Sequence, residues 1–213
     1  MQVTEILETM ALMSVGGDNL TQKTKSIFLR YLNLANRNIY NKIASINPDL
    51  FINEQIQTIQ DSEDVQLNQN PFLVSVLYVE NQYPGLLLKT FLDFVDFKKD
   101  FNGEGDPQIF TFRKDIVSIY PIRGNTQYNL DIWYTPQPIT LDENTAENDI
   151  PCPLSFHNLL VDESLYYLFL DEDGFKDSRK SMEAKERAKD QKKDLISYLY
   201  ANSNQTLSTF SNV

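Results

Sequence analysis

The sequence predicts an α+β protein: an antiparallel helical bundle with an inserted antiparallel β-meander and an extended C-terminal tail. Three observations carry this. Apolar residues recur at helical spacing over residues 1–46 and again over 154–200. Runs rich in β-branched and aromatic residues, separated by turn chemistry, fill the interval between them. Residues 201–213, ANSNQTLSTFSNV, have neither charged side chains nor periodicity, the composition of a segment that stays unfolded alone. The expected organisation is N-terminal helices over 1–50, a β-rich portion over 51–141, a helical hairpin over 142–200 packing with the N-terminal helices, and an extended partner-binding tail over 201–213.

In the first helix Val3, Ile6, Leu7, Met10 and Met13 share one face. The stretch from Ser14 to Asp18 breaks it, and Asp18 or Thr21 can cap the next helix. There Phe28, Leu32, Ala35, Ile39, Ile43 and Ile46 form a long stripe, closed by Asn47-Pro48-Asp49 because proline disfavours helix in the residue before it. Residues 51–70 read as extended, with Ile52, Ile56 and Ile59 as anchors. Residues 72–79 are apolar on both faces and predict a buried strand. After a turn at Tyr83-Pro84-Gly85, residues 86–97 predict a strand running into a short helix, and 102–107 a loop.

Three strands follow, at 109–112, 116–122 and 128–134. Gly124 and Asn125 can take the left-handed conformations a hairpin turn needs. In the third strand Tyr128, Leu130, Ile132 and Tyr134 fall on one face, and Asn129, Asp131 and Trp133 on the other. Pro136 and Pro138 end it, having no N–H to donate. The helix after Pro153 is apolar around most of its circumference, so it belongs at the centre of the helical core. Gly174 is placed to cap its C-terminus before a last helix starts near Asp177.

That last helix differs from the others. Between Glu183 and Asp194 its only apolar residues are Ala184 and Ala188, a stripe continued by Leu195 and Leu199. So narrow a stripe suits either a solvated helix or one lying close against a neighbouring copy; on the second reading these four residues, with the outward Trp133, are the expected subunit interface. Leu207, Phe210 and Val213, spaced by three, are the apolar residues with which the tail would bind a partner.

The net charge of -11 argues against a surface built for nucleic acid. The charge is uneven: residues 176–194 hold eight basic and five acidic side chains, leaving 11 basic and 25 acidic elsewhere. So mixed a helix more often faces solvent or a subunit than DNA phosphates. A single cysteine, Cys152, precludes an intramolecular disulfide and fits synthesis in a reducing cytoplasm. The N-terminus has no secretion signal, and no apolar run is long enough for a membrane span.

No catalytic, metal or cofactor site is expected. His157 is the only histidine, and no HExxH or CxxC spacing occurs. Cys152 and His157 could in principle pair as nucleophile and base; a half-buried histidine beside a buried thiol is the ordinary reading. Asp171, Glu172 and Asp173 lack the alternating ligands of a calcium loop. Trp133 could stack on a sugar, which gives the alternative reading of a carbohydrate-binding or cell-wall-associated module.

The order of strand, proline-rich exit, short acidic loop, IP element and apolar helix over residues 128–170 resembles the neck proteins of tailed bacteriophages. These are head-to-tail adaptors, and the likeness is greatest to those of short-tailed phages. The helix reading YLNLANRNIY, residues 31–40, is similar to that family's LN-A-RE-I helix. The resemblance implies a virion protein without enzymatic activity, in a ring of twelve copies between the portal and a downstream tail or nozzle protein. Double-stranded DNA would pass through the channel without specific binding.

Overall fold

The computed structural model describes residues 1–15, 21–80, 85–101, 103–171 and 175–209, with side chains given to Ser14 and over 21–202 within those stretches. It has α+β architecture in two compact units. One comprises residues 1–47 and 138–213, the other residues 48–137.

The first unit is helical. Helix α1 (Val3–Val15) buries Val3, Ile6, Leu7 and Met10, while Met13 is exposed. Helix α2 (Gln22–Ile46) is capped by Thr21, whose side chain accepts from the Thr24 backbone N–H at 3.2 Å. The buried stripe runs from Phe28 to Ile43 as the spacing predicts. After Pro153 one turn of 3₁₀ helix leads into α4 (His157–Leu170). The last helix, α5 (Ser178–Thr209), starts where Asp177 accepts from the backbone N–H groups of Arg179 and Lys180, both at 3.0 Å. Helix α4 packs against α1, α2 and α5, and is buried on nearly all sides.

Two expectations for α5 need correction. The helix does not stop near Tyr200: it continues to Thr209, so residues 201–209 are helical and not extended. The run from Ser178 to Thr209 contains neither proline nor glycine, so nothing in it breaks the helix. Ala184, Ala188, Leu195 and Leu199 are also all buried within the chain itself, where α4 and α5 meet. All four side chains are covered within one chain, so they are not available to a neighbouring copy. Ala184→Leu should therefore destabilise the isolated chain by about 1–3 kcal/mol through overpacking. Thermal denaturation of dilute monomer checks this, and an unchanged midpoint would contradict the packing.

The second unit holds two sheets. In one, the order is β1 (Asn53–Gln60), β7 (Gln127–Pro136), β3 (Pro71–Val79), antiparallel throughout. In the other, the order is β2 (Asp64–Gln66), β6 (Ile116–Tyr120), β5 (Ile109–Arg113), β4 (Leu87–Leu88), with β4 parallel to β5. The strand-into-helix reading holds: β4 leads to α3 (Phe91–Asp100), which Thr90 caps. One apolar core, including Leu77, Phe110, Val117, Ile119, Leu130 and Ile132, joins the two sheets. On the other side of β5, Ile109 and Tyr120 pack with Phe94 of α3.

The meander is corrected in one respect. Strands β5 and β6 form the expected hairpin, but β7 does not pair with β6 and crosses to the other sheet. Pro121 stops β6 by lacking an N–H. Asn125 does adopt the left-handed conformation, φ 58°, yet its N–H donates to Asp61 Oδ1 in place of closing a hairpin. The anchors over 51–70 are corrected too. Ile56 and Ile59 lie an odd number of residues apart, so on one strand they face opposite ways. Ile59 is buried, whereas Ile56 is 72% exposed and Gln55 points inward, donating to the Gln66 carbonyl at 3.0 Å.

Several sequence expectations lie outside the described residues: the break at Gly16-Gly17-Asp18, Tyr83 and Pro84 of the turn, Asn102, Glu172 and Asp173, the Gly174 cap, and the tail residues Phe210 and Val213. Leu207 lies on α5, but its side chain is not described. The cap of α4 that is described is Asp171, with extended backbone.

Candidate interaction surfaces

Strand alternation sends Tyr128, Leu130, Ile132 and Tyr134 of β7 into the core and Asn129, Asp131 and Trp133 outward. The register then fixes their neighbours. Asp131 lies between Ile56 of β1 and Tyr78 of β3, and Trp133 lies opposite Glu54. The result is a concavity of about 780 Å³ on the outer face of this sheet, floored by β7. Trp133, 37% exposed, forms part of it. Polar groups cross the sheet in a chain: Thr58 donates to Asn129 Oδ1 at 2.7 Å, and the Asn129 amide donates to Glu80. Gly85 backs Tyr78, since a Cβ there would meet the Tyr78 ring and the Leu77 carbonyl oxygen at 3.0 Å. No hydrogen-bond partner among the described residues reaches the buried Oδ1 of Asp131.

A second concavity, of about 460 Å³, lies within the helical unit along α2. Asn33 clamps the returning chain from both sides: its amide donates to the Leu141 carbonyl at 2.9 Å, and its Oδ1 accepts from the Leu141 N–H at 2.7 Å. One turn later Asn36 donates to the Ile139 carbonyl at 3.2 Å. Residues 139–141 are thus held on α2 by side-chain amides, where a sheet would have used a neighbouring strand. Arg30 and Tyr31 at the same groove both reach Asp171, and burial together with that carboxylate pushes the Tyr31 hydroxyl up to about 12.

The basic residues of α5 are partly committed inside the unit. Arg187 Nε and Gln191 Nε2 each donate to the buried Asp162 at 2.7 Å, and Lys192 meets the buried Glu163 at 2.7 Å. Two of the seven basic residues of α5, Arg187 and Lys192, therefore balance acids of the apolar α4.

A family model described as SU10 adaptor protein matches residues 1–208. The chain belongs to that family. No curated protein matches it. The SU10 adaptor proteins are phage adaptors, as the element order and the residue 31–40 helix imply. In this member of the SU10 adaptor family, Asn33 and Asn36 of that helix bind the chain that re-enters the helical unit, and Ala35 between them is buried.

Cys152 and His157 do not form a catalytic pair. His157 Nε2 lies 2.9 Å from the Cys152 carbonyl oxygen, not from its sulfur, and the thiol hydrogen bonds to the Phe156 carbonyl at 3.6 Å. Burial pushes the thiol up to about 12, so no thiolate forms near neutral pH. Desolvation holds His157 below its ordinary value, with the Met1 amino group beside Nδ1 acting in the same direction. Among the described residues, no group of three or more His, Cys, Asp or Glu side chains is placed to hold a metal, and no helix is long and apolar enough to cross a membrane.

Sequence alternation placed Trp133 outward and buried its neighbours correctly. It missed Ile56, Tyr78 and Glu80, because only strand pairing brings them beside Asp131. The one legible signal was an acid next to a tryptophan on a single strand face.

Proposed function

We propose that this chain is a head-to-tail adaptor of the virion neck. Twelve copies would form a closed ring joining the portal to a downstream tail or nozzle protein, with double-stranded DNA passing through the central channel. The observation that carries the reading is the family match, which spans both units. A closed ring built from one chain needs two different complementary surfaces. The sheet concavity and the helical unit supply candidates of different chemistry, and of the interface residues expected from sequence Trp133 remains exposed. The net charge of -11 favours a channel wall that repels DNA and does not retain it.

The portal contact falls to the C-terminal residues Leu207, Phe210 and Val213. Deleting residues 202–213 keeps Leu195 and Leu199 in the core, so the truncated chain should melt like the full chain yet fail to co-sediment with portal rings. Negative-stain microscopy of the full chain with portal should show added rings. Absence of such rings rejects the adaptor assembly; rings formed equally well by the truncated chain reject only the tail assignment.

A further inference from the structure

We propose that the concavity on the β1-β7-β3 sheet receives a cationic side chain, an arginine or a lysine, from a neighbouring protein subunit. Trp133 and Tyr78 would flank its stem, while Asp131 and Glu80 hold its charge. The proposal rests on the adaptor reading only for the source of that subunit.

The charges argue first. Asp131 and Glu80 line the concavity, no basic side chain among the described residues does, and Glu54 stands opposite Trp133 in the strand register. Like charges on one face repel each other, and a cation between them removes that repulsion. The hydrogen bonds argue next. Glu80 is held by Asn129, but Asp131 keeps a buried oxygen with no partner among the described residues. A desolvated carboxylate oxygen is an acceptor that gains most from a charged donor. The aromatic groups select within that class. A guanidinium is planar and weakly hydrated, and indole is the best aromatic face for a cation. A neutral saccharide could stack on Trp133, yet it would leave the carboxylates unneutralised.

Trp133 is the only tryptophan, so emission from the full chain reports this face directly. Titration with a hexa-arginine peptide at low salt should give a saturable change in emission. Asp131→Asn should weaken it about tenfold, the worth of one charge-assisted hydrogen bond. Raising salt to about 0.5 M should suppress it by screening. If Asp131→Asn melts early, Glu80→Gln, at an exposed edge position, carries the comparison in its place. No saturable change, or equal affinity in wild type and both variants, overturns the proposal. So does a response to N-acetylglucosamine oligomers in place of arginine, which would assign the face to cell-wall sugar. Rings on portal without an arginine response overturn this receptor alone. An arginine response without rings overturns the assembly and leaves the receptor standing.

Discussion

Ile132→Ala should destabilise the β unit by about 2–5 kcal/mol, the range for truncating a fully buried aliphatic side chain. Ile132 is completely buried on β7, the strand that pairs on both sides, and belongs to the core shared by the two sheets. The loss has a transfer part and a cavity part. Neighbours such as Leu77 and Leu130, themselves buried, have little freedom to close the gap. Urea denaturation followed by Trp133 emission measures it, because the reporter is the adjacent residue on the opposite face. The control is Ile56→Thr on β1: Ile56 is 72% exposed, so its replacement should stay within about 0.5 kcal/mol. Equal losses at the two positions would show that the inward and outward faces are wrongly assigned.

Lys192→Met should cost about 2–3 kcal/mol. It strands the Glu163 carboxylate, whose side chain is 4% exposed and which also accepts from Tyr167 Oη at 3.0 Å. Breaking a fully buried pair costs roughly 3–5 kcal/mol. The lower figure applies because Lys192 itself is 41% exposed and water screens the pair. Combining Lys192→Met with Glu163→Gln removes the uncompensated charge, so the double variant should recover most of the loss. A double-mutant cycle by thermal denaturation reads the coupling directly. Additive losses would mean that the two side chains do not meet in solution.

What could be read beforehand follows from the range of the forces involved. Helical stripes and strand alternation are local, and they placed the cores of α1, α2, α4 and β7 with Thr21 as a cap. Pairing between strands is not local. Nothing in the 108–141 run says that β7 abandons its hairpin neighbour, and that choice creates the face carrying Trp133. The narrow apolar stripe of α5 was misassigned for a related reason. Alanines spaced by four signal close approach to some helix, but not whether that helix belongs to the same chain. Here it is α4, whose buried acids also account for part of the basic face of α5. The candidate site was therefore half legible: Trp133 and Asp131 from alternation, Tyr78, Glu80 and Ile56 only from register.

The asparagine clamp on α2 makes the β unit a replaceable cassette. Departure from the helical unit occurs at Asn47, and re-entry is fixed where Asn36 holds Ile139. Eleven residue steps along α2 separate Asn36 from Asn47, roughly 16 Å at about 1.5 Å per step. A flexible linker of about eight to ten residues spans that gap. The cassette closes on itself as well, for Thr135 near its end donates to the carbonyl of Pro48 at its start, at 3.3 Å. The sheet module should thus be exchangeable as a whole while one helical chassis is kept.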